Sequence, residues 1–437
     1  MPKVLIDGYN LSLEKGTGVA TYARNLSYEL KALGHSVSVL YGNRAAPSRE
    51  SLMREIAFFD SNVGDRNRLL EILDQAHRAL LGPLGHFAED VPITGQVITR
   101  TFSSRMPAFD HILNATDVFM RSQSSFKLWK TLSRVSVAET PDLVHWTYPV
   151  PLRIKRAPNI YTMHDLVPLR LPYTTLDKKR TYYRLMQKLV HTADHIVTVS
   201  ECSRRDIIDL LGVSPDRVTN TYQSVSIPEK YTNKSEAQVA REVEGATGVG
   251  YKEYFLFWGS IEPKKNIGRM IEAYLSSGVD APLVIVGAQA WKSEQELRLL
   301  NDEVIRYLSI ADGLVRTKKR VIQLSYAPFS LLVSLIRGAK GALFPSLYEG
   351  FGLPALEAML LGTPVICADT ASLPEVVGDA AVMVDPYDVA ALSNAIRTID
   401  HDADLRTELT ARGIKRASNF TPEKYRENLK ALYSRFV

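Results

Sequence analysis

Cysteine is scarce in this chain, with Cys202 and Cys367 the only two among 437 residues. They stand far apart, so neither a disulfide framework nor a paired-thiol metal site can be read from them. Each is expected to be a small packing residue in a reducing compartment. No apolar run approaches the ~20 residues that cross a bilayer. No internal repeat or low-complexity tract is evident, which excludes solenoids and long disordered arms. His and Cys nowhere cluster with the spacing of a zinc site. Asp400-His-Asp402-Ala-Asp404 contains an Asp-x-Asp, but it follows a helical pattern near the C-terminus. It reads as a solvated acidic turn, so no metal is expected. Arginine-rich arms and nucleic-acid modules are missing, so no nucleic-acid partner is expected. Met1-Pro-Lys3 leads straight into an apolar strand and does not read as a signal peptide. The expected location is cytoplasmic.

What is present is ordinary in bulk and uneven in detail. Hydrophobic residues make 45% of the chain and charged residues 23%, the balance of a globular protein. The length predicts two domains or more, each with its own core. The net charge of +5 is not shared equally. Residues 1–225 hold 28 Lys/Arg against 22 Asp/Glu, and residues 226–437 hold 25 against 26. Within the first part, residues 100–190 carry 15 basic and 6 acidic side chains. Such a surface suits phosphates or anionic lipid headgroups, and is equally compatible with a solvated face.

Hydrophobic periodicity gives two series of alternating strands and helices, hence α/β with parallel sheets. Val4–Asp7, Tyr22–Leu33 and Val37–Tyr41 read as strand, helix, strand. Strand-like runs follow at 143–146, 159–163 and 195–199, with a helix over 178–191. Residues 45–140 are less legible, with helical patterns near 69–81 and 112–122, and form a long insertion of the kind that serves a partner or substrate. Residues 229–250 read as a linker with a short helix. A second series begins at Tyr254-Phe-Leu-Phe-Trp258 and continues through runs at 283–287, 321–324, 342–344, 365–367 and 381–384. A last helix spans about 422–436.

Four segments carry candidate chemistry. Gly341-Ala-Leu-Phe344 reads as a buried strand, and Pro354 to Leu361 as a helix with Pro at its start and Gly362 at its stop. Between them lies Glu349-Gly-Phe-Gly352-Leu353. A helix start approached through glycines is ready for phosphate, with Glu349 in the loop before it and Glu357 one turn inside. Gly16-Thr17-Gly18 after the first strand offers similar small residues, but Thr21 replaces the third glycine of a dinucleotide fingerprint and the later acidic residue is missing. NAD is therefore a poor fit. Trp258-Gly-Ser260-Ile-Glu262-Pro-Lys264-Lys265-Asn266 presents paired cations before a helix. A fixed ammonium there can answer negative charge on a ligand or a leaving group. Tyr161-Thr-Met-His164-Asp165-Leu ends a strand, where ligands of parallel sheets gather. In Val199-Ser200-Glu-Cys-Ser203-Arg204-Arg205-Asp206, Ser200 or Ser203 is expected to cap a helix. Arg204 or Arg205 meeting a phosphate is the alternative.

Together these residues resemble retaining glycosyltransferase family 4. Glu349-x7-Glu357, continued by Gly362-Thr-Pro-Val-Ile-Cys-Ala-Asp369 and Leu373-Pro-Glu-Val-Val-Gly378, is similar to that family's donor-site signature. The resemblance implies two facing Rossmann-like domains of the GT-B type with a deep interdomain cleft. Residues 1–225 would form the acceptor-side domain and residues 226–415 the nucleotide-sugar domain, with the helix of 416–437 crossing back to the first. It also implies an enzyme, with His164, Glu349 and Lys265 as catalytic residues. The donor would be bound by Gly16, Thr17, Gly18, Ser260, Lys265, Gly350, Phe351, Gly352, Leu353 and Glu357. Lys264 stands where the family has arginine, so a bidentate guanidinium contact is lost. By resemblance Glu357 holds ribose hydroxyls, the N–H groups of Gly352 and Leu353 meet the diphosphate, and Glu349 positions the sugar and is not a nucleophile. No cofactor is obligatory, and the donor is a nucleotide-sugar. The look of the His164 and Lys265 segments is similar to bacterial mannosyl- and rhamnosyl-type polysaccharide assembly enzymes, and among their donors GDP-mannose is favoured. The acceptor expected with it is a lipid-linked saccharide, met at the inner membrane face through the basic first domain. The rival readings are a nucleotide-sugar epimerase or hydrolase on the same architecture, and a catalytically silent saccharide-binding scaffold.

Overall fold

The computed structural model describes the whole chain except residues 13–17, 46–47, 49, 61–84, 99–105, 292, 302–305 and 312–313. The described chain forms two compact units. One comprises residues 1–166, 178–224 and 422–437, and the other residues 167–177 and 225–421. The short stretch 167–177 therefore belongs to the second unit although chain on both sides of it belongs to the first.

The first unit is built on a ten-stranded sheet. Its spatial order is 218–220, 195–198, 159–162, 143–146, 3–7, 36–41, 111–114, 86–91, 133–137 and 152–154. All pairings are parallel except that of 86–91 with 111–114. The central strands Leu143–Trp146 and Asn159–Thr162 are buried at every position, as expected of a parallel sheet covered on both faces. Helix Gly18–Ala32 returns the chain from the first strand, burying Ala20, Tyr22, Ala23, Leu26 and Leu30 at helical spacing. Helix Pro422–Tyr433 packs into this same unit. Its Arg426 Nε meets Glu29 Oε2 at 2.8 Å and Tyr433 Oη bonds the His145 ring.

The second unit has a six-stranded, all-parallel sheet in the order 321–324, 283–286, 255–258, 341–344, 365–368 and 381–384. The strand order reverses beside the strand Phe255–Trp258, and the crevice at the carboxyl ends near such a reversal is where open α/β sheets hold ligands. Gly287, just past one neighbouring strand, is required to be glycine, because a Cβ there would lie 1.8 Å from Gly259 O.

Two expectations need correction. The run 112–122 is not one helix. Residues His111–Asn114 pair as a strand with 38–41, and a helix starts only at Val118 after Asp117 at φ 56°. Four residues are too few for periodicity to separate a buried strand from a helical turn. Residues 229–250 hold two helices, Glu229–Thr232 and Glu236–Thr247. The longer one is fixed by a Ser235–Gln238 capping box and by Gly248 at φ 70°. The helical pattern at 69–81 lies outside the described residues.

Candidate functional site

In the second unit, the loops leaving strands Phe255–Trp258 and Gly341–Phe344 are bound to one another. Leu347 N–H donates to Lys264 C=O at 2.8 Å, and Asn266 Nδ2 donates to Pro345 O at 3.0 Å and Pro386 O at 2.7 Å. Asn266 sits in the left-handed region at φ 60°, which turns the chain from the short turn Pro263–Lys265 into helix Ile267–Ser277. This frame brings Lys265 to Glu349, Nζ to Oε1 2.6 Å, with both side chains largely buried. Burial alone would raise the Glu349 carboxyl. The Lys265 and Lys264 ammoniums, with the hydrogen bond from Lys265, outweigh it and hold the group below its ordinary value. Lys264 lies 3.7 Å from Glu262, which in turn accepts from Ser260 Oγ at 3.0 Å. The two adjacent lysines are thus answered by different carboxylates.

Glu349 is followed by Gly352 at φ 103°, which opens helix Leu353–Leu360 with Pro354 in its first turn. The N–H groups of a first helical turn have no partner within the helix, and the helix dipole adds positive potential there. Ser372 Oγ donates to Glu349 O at 2.8 Å and fixes the loop from behind. The Phe351 ring is buried against Phe420, centroids 5.5 Å apart, so the ring is taken up in packing. Glu357, one turn inside the helix, accepts the Trp258 indole N–H at 2.9 Å. Burial pushes its carboxyl up to about 7 despite that bond. Trp258 is held edge-on against Phe344 at 4.8 Å.

In the first unit, His164 follows strand Asn159–Thr162. Its Nε2 lies 2.9 Å from Thr147 O, its own C=O accepts from Ser203 Oγ at 2.8 Å, and Tyr22 stands edge-on to the ring at 4.8 Å. Burial lowers the imidazole pKa, so the neutral ring is favoured. Tyr182 Oη donates to Asp165 O at 3.2 Å. Ser200, not Ser203, caps helix Glu201–Leu211. Arg204 donates to Val218 O at 2.9 Å and Pro215 O at 2.8 Å, so its guanidinium is committed to a loop and not to a phosphate. Gly18 is the exposed first residue of its helix, while Gly16 and Thr17 lie outside the described residues. Asp402 caps helix Ala403–Ala417 and Asp400 pairs with Lys340 at 2.8 Å. Among the described residues no group of three or more His, Cys, Asp or Glu is placed to hold a metal ion.

Sequence reasoning missed four contributors: Trp258 on Glu357, Asn266 as the tie between loops, and Asp7 with Thr147 behind His164. Trp258 and Asn266 stood inside a segment already singled out, though nothing there announced these contacts, and Asp7 carried the signal of a carboxylate ending an otherwise apolar strand.

Residues 246–416 match the family described as glycosyl transferases group 1, and residues 17–221 match the glycosyl transferase 4-like domain. O-antigen chain mannosyltransferase B of Escherichia coli is 33% identical over 279 residues, which cover 63% of this chain and 69% of that protein. O-antigen chain mannosyltransferase RfbU of Salmonella typhimurium is 26% identical over 279 residues, covering 63% and 68%. In fold, the chain is similar to sucrose-phosphate synthase of Thermosynechococcus elongatus, with TM-score 0.64, 18% identity and 100% and 99% of the two chains covered. Anabaena HepE, solved with UDP and glucose, gives TM-score 0.62 at 15% identity, covering 99% and 100%. The fold is that of the GT-B class. The chain belongs to the group 1, or family 4, glycosyltransferases and is a hexosyltransferase.

Proposed function

We propose that this enzyme transfers mannose from GDP-mannose to a lipid-linked saccharide during bacterial cell-surface polysaccharide assembly. The observation that carries this reading is the buried Lys265–Glu349 pair beside the glycine-opened helix, in a chain similar to two O-antigen mannosyltransferases. Lys265, with the N–H groups of Gly352 and Leu353, neutralises the diphosphate. Glu357 accepts hydrogen bonds from the ribose hydroxyls and Glu349 from those of the sugar, while His164 contacts the transferred sugar. Lys265 and Glu349 satisfy one another. When donor binds, the diphosphate competes for the ammonium and the sugar for the carboxylate.

In the transfer, the bond between the anomeric carbon and the diphosphate oxygen breaks and the acceptor oxygen bonds the same face of that carbon. The acceptor proton passes to the departing phosphate oxygen. Glu349 positions the sugar and forms no covalent bond. The exposed Lys178, Arg180, Tyr183 and Arg184, on or beside helix Lys179–Thr192, form a basic face suited to anionic headgroups, and the enzyme works peripherally at the inner face of the plasma membrane. A thermal-shift panel of UDP-, GDP-, ADP- and dTDP-sugars tests the donor. GDP-mannose is expected to raise Tm most, and a larger rise with a UDP-sugar would refute the mannosyl reading.

A further inference from the structure

A buried carboxylate is tied to the His164 ring through the two polar backbone groups of one residue. Asp7 closes the first strand and is fully buried. One carboxylate oxygen accepts the Thr147 N–H and the other the Tyr9 N–H at 3.2 Å. Among the described residues it has no ion pair, and burial pushes its carboxyl up to about 6 against the pull of those N–H bonds. On its other side, Thr147 offers its C=O to His164 Nε2 at 2.9 Å. A carbonyl only accepts, so the proton sits on Nε2. In a neutral imidazole the Nδ1 lone pair is then open, and Nδ1 has no hydrogen-bond partner among the described residues.

The neighbouring His145 shows the contrast. Both of its ring nitrogens are engaged within the protein, Nδ1 by Tyr433 Oη and Nε2 by Thr162 Oγ1 at 2.8 Å. That ring is structural. His164 is anchored on one nitrogen, braced by Tyr22 at 4.8 Å and by Ser203 at its backbone, and leaves the other nitrogen available.

We infer that Asp7 is a positioning residue, which fixes the Thr147 peptide, locks His164 in the Nε2–H tautomer and so presents Nδ1 to the substrate as a hydrogen-bond acceptor. The inference rests on the reading that His164 contacts the sugar. It adds that the contact is made with a hydroxyl as donor, and that His164 supplies no proton to the leaving group. A carboxylate suits the position because two N–H groups converge on it. An amide would set its own NH2 against one of them.

The test uses the full chain labelled with 15N-histidine, with His164 assigned by Asp-independent loss of its signals in His164→Gln. At pH 7.5 the wild-type spectrum is expected to show protonated Nε2 and unprotonated Nδ1. An Nδ1–H tautomer or an imidazolium overturns the proposal. Asp7→Asn, checked for near-wild-type Tm, is expected to yield mixed tautomers and a kcat lower by about 10- to 100-fold, the scale for a group displaced by an ångström. Its donor KM should stay within about twofold. Unchanged tautomer and unchanged kcat refute it. Asp7→Ser is the second variant if Asn does not fold, and if neither folds Asp7 is a core residue and the proposal is wrong. Should His164→Gln transfer sugar at the wild-type rate, the role of His164 in sugar binding fails while the tautomer result stands.

Discussion

Glu357 holds two properties in tension. Burial pushes its carboxyl up to about 7, yet the ribose-binding role proposed for it is that of an acceptor, which the charged form serves best. A carboxyl raised in the folded state contributes stability in full below its unfolded value of 4.5, and loses it as pH climbs through about 7. Glu357→Gln can still accept from Trp258 and has no charge to bury. Its Tm relative to wild type should therefore rise between pH 5 and pH 8, by the equivalent of roughly 2–3 kcal/mol, while donor affinity collapses. A Tm difference that is flat with pH would contradict this. Glu349 has the opposite sign: its depressed carboxyl supplies stability above its ordinary value, lost in acid.

At the scale of elements, the start of helix Leu353–Leu360 depends on Gly352. A Cβ at φ 103° is strained, and it would sit 2.8 Å from Leu373 Cδ2. Gly352→Ala is expected to cost about 1–3 kcal/mol and to weaken donor binding at least tenfold, measured by denaturation and calorimetry. Unchanged affinity would show that the N–H groups of this turn do not meet the donor. The helix and its bounding strand were legible because Gly352, Pro354 and Gly362 punctuate them. So were Lys265 and Glu357, whose neighbours form a recognisable string. Illegible were the ties made across the fold. Trp258 and Glu357 are 99 positions apart and Asp7 and Thr147 are 140 apart, and no local pattern encodes such distances. The strand at 111–114 was missed for a different reason, since four residues carry no usable period.

For the whole molecule, the parallel character of the two large sheets followed from alternating apolar runs, the spatial order of the strands did not, and the two-Rossmann architecture came from the family resemblance. The assignment of residues 167–177 to the second unit was not legible either, because that stretch has no strand to mark it. No described helix is long and apolar enough to cross a membrane; the membrane contact proposed above rests on surface charge. The chain should sediment with anionic liposomes at low salt and be released as salt rises, because exposed charges are screened within about 10 Å at 0.1 M. Lys178→Glu with Arg184→Glu should abolish binding. Failure to sediment at low salt would remove the membrane from the proposal.

The central claim is that Lys265 and Glu349 hold the donor for transfer. It is tested most directly by the rate of sugar transfer from GDP-mannose to a lipid-linked saccharide in Lys265→Ala and Glu349→Ala, each shown to be folded. The account predicts a loss of at least 100-fold in both, the scale for removing a group that answers transition-state charge. Wild-type rates in either folded variant would contradict it.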